Sequence, residues 1–400
     1  ELGELLALGE AHVAAFLRCD GAMAALLRAL HDPPTQLSAC HCITNIAASS
    51  DQGHAASVVG AVPMLVMLLE SGNPHVLDLC ANAMGNLAAD GAECQECLFA
   101  AGAVAPLCRL LGHHTAPAVR SAAFALAQLV RGMDAALRGE VTPEVAPACL
   151  DALASGPGLD DRDTRIELTW LLAELVSENV AAIDGLCADR DALPALCRTL
   201  SAEAAMVAPD VVMVCPVLRV LGTCAAAGPP EVCDLLLQPA EGDGVTGLAA
   251  LRQLLLSPSA AARAEAAWVI ATVANGLHRR HPEAVVAAGL IPHLVALLSN
   301  EIAVRREAVS ALLGIGHRGG ALVDSVVAAD VVPAVLPLLV APDAELQLAA
   351  VQLIEVVCRA HPGGTAAVEA VGGVNVLLAQ QFHADETIQT CVTFLLHTYF

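Results

Sequence analysis

A short phrase returns along this chain at nearly constant spacing: a small residue, an aliphatic, often a proline, then a leucine-rich run. It occupies Gly60–Leu69, Gly102–Leu111, Asp191–Leu200, Gly289–Leu298 and Asp330–Leu339. The prolines that mark the period are Pro63, Pro106, Pro147, Pro194, Pro292 and Pro333, separated by 43, 41, 47, 98 and 41 residues. The long gap is two periods, with Gly247 in its middle. Each phrase precedes a longer segment in which a polar or acidic start gives way to apolar residues at helical spacing. These segments are Asn73–Asp90, Ala116–Gly132, Asp161–Glu178, Ala208–Gly228, Ser259–Gly276, Glu301–Gly320 and Asp343–Pro362. A third, short element such as Pro282–Gly289 fills the space before the next phrase. Its terminal glycine supplies a positive φ that stops a helix, and the following proline suits the first turn of the next one.

A repeat of 40–50 residues carrying three helices cannot bury its own apolar faces, so repeats must stack on one another. Aromatic residues make up only 2% of the chain. Small aliphatics suit helices packed on two sides, whereas a compact α/β enzyme normally carries more aromatic bulk. Short first, middle second and long third helices are the armadillo pattern. The expectation is an all-α, right-handed superhelical armadillo solenoid of eight to nine repeats, a single domain over residues 1–400 ending in Thr387–Phe400. Loops at Gly156–Gly158, Gly228–Pro230 and Gln238–Gly244 read as joints between helices, because the repeat resumes in register after each. The sequence opens at Glu1 and not at Met, so a further N-terminal segment is expected upstream.

The chain carries 19 Lys and Arg against 42 Asp and Glu, a formal charge of −23. That surface repels nucleic acid, whose binding relies on neutralising phosphates, and attracts basic polypeptides. The 15 cysteines lie mostly inside apolar stretches and read as reduced, buried thiols. Cys40/Cys42 and Cys94/Cys97 are the only close pairs, too few for a zinc set, so no metal and no cofactor is expected. The apolar run Ser325–Pro342 is interrupted by Asp330, Pro333 and Pro337 and reads as a buried helical hairpin, with no membrane span in this chain. No Gly-rich phosphate loop and no nucleophile elbow is present, so an enzyme is not expected.

Aligning the long segments on their last apolar turn puts Asn45, Asn86, Gln128, Glu174, Thr223, Thr272, Gly314 and Val356 at one shared position. Four residues earlier stand His41, Asn82, Phe124, Trp170, Arg219, Trp268, Ser310 and Gln352. An i, i+4 pair shares a helix face, so these positions should form two ladders along a groove. Asn86 is either a groove amide or bonded to a neighbouring loop. Arg219 should pair with acidic neighbours such as Asp210. The basic patch His278–Pro282 reads as a solvated loop, and Asp160–Asp163 as the acidic start of a helix.

The stretch Glu265–Gly276 resembles a long helix of importin alpha, a family that carries Trp and, four residues on, Asn in successive repeats. The resemblance implies that the amides hold the backbone of an extended basic peptide while the indoles bracket its Lys and Arg stems. Here Trp170 is followed by Glu174, Trp268 by Thr272, and Asn45 and Asn86 lack the Trp. Glu174 would exchange backbone recognition for direct charge pairing. Cys215–Arg219, Asn82–Leu87, Phe124–Leu129 and Glu167–Leu172 look like the transmembrane and coiled-coil domain-containing protein six family, an importin-alpha-like armadillo group. The likeness implies an adaptor or import carrier of cytoplasm and nucleus. It would hold basic protein segments against Asn45, Asn82, Asn86, Phe124, Gln128, Trp170, Glu174, Arg219, Thr223, Trp268 and Thr272, and could engage importin beta through an upstream segment. The alternative expectation is a structural armadillo scaffold in a large assembly such as a ciliary axoneme.

Overall fold

The computed structural model describes residues 1–50, 53–156, 160–238 and 246–400. The loops expected at Gly156–Gly158 and Gln238–Gly244 fall largely outside these residues. Among the described residues the regular elements are all helices. They form two compact units, Glu1–Gly185 and Leu186–Phe400.

The backbone of the first unit is a row of four long helices: α1 (Pro33–Ala47), α2 (Pro74–Asp90), α3 (Ala116–Gly132) and α4 (Arg162–Val176). Each packs against the next. The second unit repeats the scheme with α5 (Val211–Ala227), α6 (Ala260–Asn275), α7 (Ile302–Gly316), α8 (Ala344–Ala360) and α9 (Glu386–Tyr399). Shorter helices fill the rest of each repeat, as in Ala92–Ala100 and Val104–Leu111 before α3.

Local chemistry explains the boundaries. Asn73, Asp161, Asp210, Ser259, Asp343 and Asp385 each cap a long helix by accepting a backbone N–H of its first turn. Pro63 and Pro292 stand at the first positions of Val62–Leu68 and Ile291–Leu297, where a missing N–H is harmless. Gly289 ends the preceding short helix at φ 71°, a conformation that suits glycine. In the phrase at Asp330 the same place is taken by an aspartate at φ 59°, one of the few side chains that tolerate it. Pro147 departs from the scheme: it lies with Pro143 inside one continuous helix, Ala135–Ser155.

The long helices are buried around most of their circumference. Between Ala118 and Val130 of α3, only Arg120, Phe124 and Gln128 reach solvent appreciably. Ile43, Leu87, Leu126, Leu168, Leu218, Ile270, Leu312 and Ile354 are wholly enclosed, each such side chain contributing about 1.5–3 kcal/mol by leaving water. Thirteen of 15 cysteines are at least half-enclosed by the fold or deeper in it, for example Cys80, Cys149 and Cys224 at zero exposure, and burial pushes the Cys94, Cys108 and Cys215 thiols up to about 11. No single helix among the described residues is long and apolar enough to cross a membrane, although two bent helix pairs approach the required length and composition.

Candidate functional site

On each long helix the residues left accessible form one stripe at helical spacing, and the ladder positions lie on it. Asn45, Asn82, Asn86, Phe124, Gln128, Trp170 and Glu174 in the first unit are half-buried among buried neighbours. In the second unit Thr223, Trp268 and Thr272 are half-buried and Arg219 is exposed. At the far end of the second unit the register slips by one. Val356 is fully buried, and the accessible stripe of α8 runs through Gln352, Glu355 and Arg359. Gly314 is likewise buried.

The first unit's stripe is a set of amides and carboxylates with its own cations laid over them. Asn45 donates from Nδ2 to the Gly3 carbonyl at 2.8 Å. Asn86 donates from Nδ2 to Asn82 Oδ1 at 3.1 Å and, more weakly, to the Thr44 carbonyl of α1 at 3.4 Å. Its partners are thus helix groups and not a loop. These bonds leave Asn86 Oδ1 and Asn82 Nδ2 unspent, an acceptor and a donor side by side. Phe124 lies on α2 at Gly85, where a Cβ would stand 2.3 Å from its ring. Arg131 spans the next step. Its Nη1 donates to Gln128 Oε1 at 3.1 Å, and Nε and Nη2 donate to Glu174 Oε1 at 3.0 and 2.7 Å. Arg120 reaches Asp163 at 3.4 Å. Burial pushes the Glu167 carboxyl up, against the pull of Arg120.

In the second unit Arg219 pairs with Glu265 of α6 at 2.9 Å. Trp268 lies on α5 at Gly222, where a Cβ would meet the indole at 2.2 Å. Thr272 turns its hydroxyl back to the Trp268 carbonyl at 3.1 Å. Glu307 on α7 is pushed up by burial and then by the charge of Glu265. Beside Trp268 opens a cavity of about 400 Å³, edged by Ala226, Pro230, Asn275, Leu277 and Ser310, with His281 among its lining residues. His281 is fully buried. Its Nε2 meets Asp234 Oδ1 at 3.0 Å, while Nδ1 lies against Gly276 without a hydrogen-bond partner. Burial works to raise the Asp234 carboxyl, but the bonds from His281 and Arg280 outweigh it and hold the group below its ordinary value.

Arg131, Glu265, Glu307 and Asn275 join these faces without having been singled out by sequence. Each stands three residues from a ladder position (Gln128, Trp268, Ser310 and Thr272), so helical spacing alone could have found them. Asp161 caps α4 as an acidic helix start should. Among the described residues no group of three or more His, Cys, Asp or Glu is disposed to hold a metal ion.

Comparison with known proteins fits this geometry. Residues 54–89 match the armadillo/beta-catenin-like repeat. The chain is 28% identical to importin subunit alpha-9 of Arabidopsis thaliana, over all of this chain and 78% of that protein. It is 28% identical to importin subunit alpha-2 of Oryza sativa subsp. japonica, over 78% of this chain and 60% of that one. A crystal structure of an engineered protein superposes with a TM-score of 0.81 at 26% identity, covering 99% of this chain and 92% of the other. The fold is an armadillo-repeat fold, and the sequence is similar to importin alpha subunits.

Proposed function

We propose that this chain is an importin-alpha-like binding protein and not an enzyme, and that the first unit's stripe holds an extended, basic polypeptide segment. The observation that carries the reading is the guanidinium of Arg131 seated on Gln128 and Glu174 at 2.7–3.1 Å. That pair of acceptors is built to hold a cation, and charge-assisted bonds of this length are the strong kind. Asn82 and Asn86 add an unspent donor and acceptor for a guest backbone. Phe124 and Trp170 offer apolar and cation–π contact for Lys or Arg stems. The net charge of −23 would speed the encounter.

The likeness to importin alpha subunits extends the proposal to carriage between cytoplasm and nucleus and to engagement of importin beta. The finer likeness to the transmembrane and coiled-coil domain-containing protein six family is part of the same proposal. So is the single-solenoid reading of residues 1–400, which rests on the continuing period of the sequence.

A fluorescent Lys/Arg-rich octapeptide titrated into the full chain tests the binding claim. Glu174→Gln should weaken it by about tenfold, as expected for loss of one well-desolvated charge partner. Affinity should also fall as salt rises. Binding that is indifferent to Glu174→Gln combined with Trp170→Ala would remove this face from the reading.

A further inference from the structure

The cavity beside Trp268 differs in chemistry from the first unit's stripe. No Asp or Glu is among its lining residues. The nearest acid behind it, Asp234, is engaged by His281 and Arg280. Its hydroxyl and amide donors are largely turned inward: Thr272 to the Trp268 carbonyl and Asn275 Nδ2 to the Ala271 carbonyl at 2.9 Å. What remains is apolar surface: the indole, Ala226, Pro230 and Leu277, the last 81% exposed. A Lys or Arg head entering here would give up water and find no carboxylate in return.

Cations stand at the mouth instead. The basic patch His278–Arg279–Arg280, which read as a solvated loop, follows directly on Leu277, and all three side chains are exposed. Arg279 is matched by Glu283 at 3.0 Å and Arg280 by Asp234. Arg318 is different. Its Nη2 donates to the Gly276 carbonyl at 2.6 Å and the Asn275 carbonyl at 3.4 Å, both belonging to residues that edge the cavity. These bonds fix the guanidinium at the rim and use one nitrogen of a group with five N–H donors.

We propose that this cavity is a second binding site, which takes one uncharged apolar side chain from an acidic polypeptide segment, with a neighbouring Asp or Glu of that segment pairing with Arg318. The volume suits a single leucine- or phenylalanine-sized group, at the small end of ligand pockets. The specificity is the reverse of that expected for a Trp position in a basic-peptide groove, and it stands independently of the first unit's assignment.

The chain has two tryptophans, so Trp170→Phe leaves Trp268 as the only indole and a reporter inside the site. Two capped hexapeptides, identical in their flanking Asp residues and carrying Leu or Lys between them, are titrated into that variant. The Leu peptide should change Trp268 emission and bind at least about tenfold more tightly than the Lys peptide, the scale set by burying one aliphatic side chain. Arg318→Gln should weaken the Leu peptide several-fold and flatten its salt dependence. Ala226→Leu, at an exposed position of the lining, should block it while the thermal midpoint stays unchanged. Equal or tighter binding of the Lys peptide overturns the proposal. So does an emission change that survives Ala226→Leu, or no binding of either peptide. None of these results bears on the Glu174 titration, so the two assignments fail separately.

Discussion

At the level of single residues, the accessible stripe depends on glycines that let aromatic rings lie flat on the preceding helix. Gly85 under Phe124 and Gly222 under Trp268 are two instances of one device. A helical Gly→Ala change would ordinarily gain up to about 1 kcal/mol. At Gly85 the new methyl meets the Phe124 ring at 2.3 Å and the Ala125 Cα at 3.2 Å. Overcrowding then wins, and Gly85→Ala should cost about 1–3 kcal/mol in a denaturant titration. Gly314 provides the contrast, because the obstructing group there is the amide tip of exposed Asn275 at 2.6 Å. That side chain can swing away, so Gly314→Ala should stabilise; a loss of stability comparable to Gly85→Ala would refute the distinction. The ladder positions themselves were legible in sequence because the helical period is rigid and each helix exposes one stripe. Arg131 was not legible as a bridge, since Glu174 lies 43 residues away and only stacking brings them together.

Among the elements, the long helices were readable from their caps, prolines and glycines, which act locally. The helix Ala135–Ser155 was not, because its two prolines are four residues apart. The N–H that Pro147 lacks would have bonded to the carbonyl of Pro143, so the damage is confined to one side of one stretch, and burial of Val145, Cys149 and Ala152 can outweigh it. The slip at α8 has a similar origin: Val356 is apolar and turns inward, and Glu355 takes the accessible place. Capping gives these helices a pH signature. Arg306 first, and then the Leu346 N–H, hold the Asp343 carboxyl below its ordinary value. Its contribution is therefore fully present above the unfolded carboxylate range, near pH 4, and is lost as pH falls through the depressed folded value. Asp343→Asn, which removes the charge but can still cap, should lower the thermal midpoint at pH 7. The two midpoints should converge at about pH 2–3; a constant offset at every pH would exclude the ion pair as its source.

For the molecule as a whole, the period announced three-helix repeats, and those are what both units contain. It did not announce a boundary. The two units part at residues 185 and 186, inside the 49-residue interval from Glu174 to Thr223, one of the two longest between shared positions. An extra half-dozen residues in one period leave the helical phase intact on either side, which is why the pattern looks continuous. The net charge of −23 also acts globally. Self-repulsion of that size opposes compaction, so raising NaCl from about 0.05 M to about 0.5 M, which shortens the screening length severalfold, should raise the thermal midpoint. A midpoint that falls with salt would mean that the surface ion pairs outweigh the repulsion.

Arg131 already lies across Gln128 and Glu174, so an incoming guanidinium finds a seat with a resident. Docking becomes a swap of one arginine for another, in which the bonds gained nearly equal those surrendered. The displaced resident stays tethered to α3 and ready to return. Such a contact discriminates by charge yet adds little to residence time, and a segment held this way can be handed on without an external push.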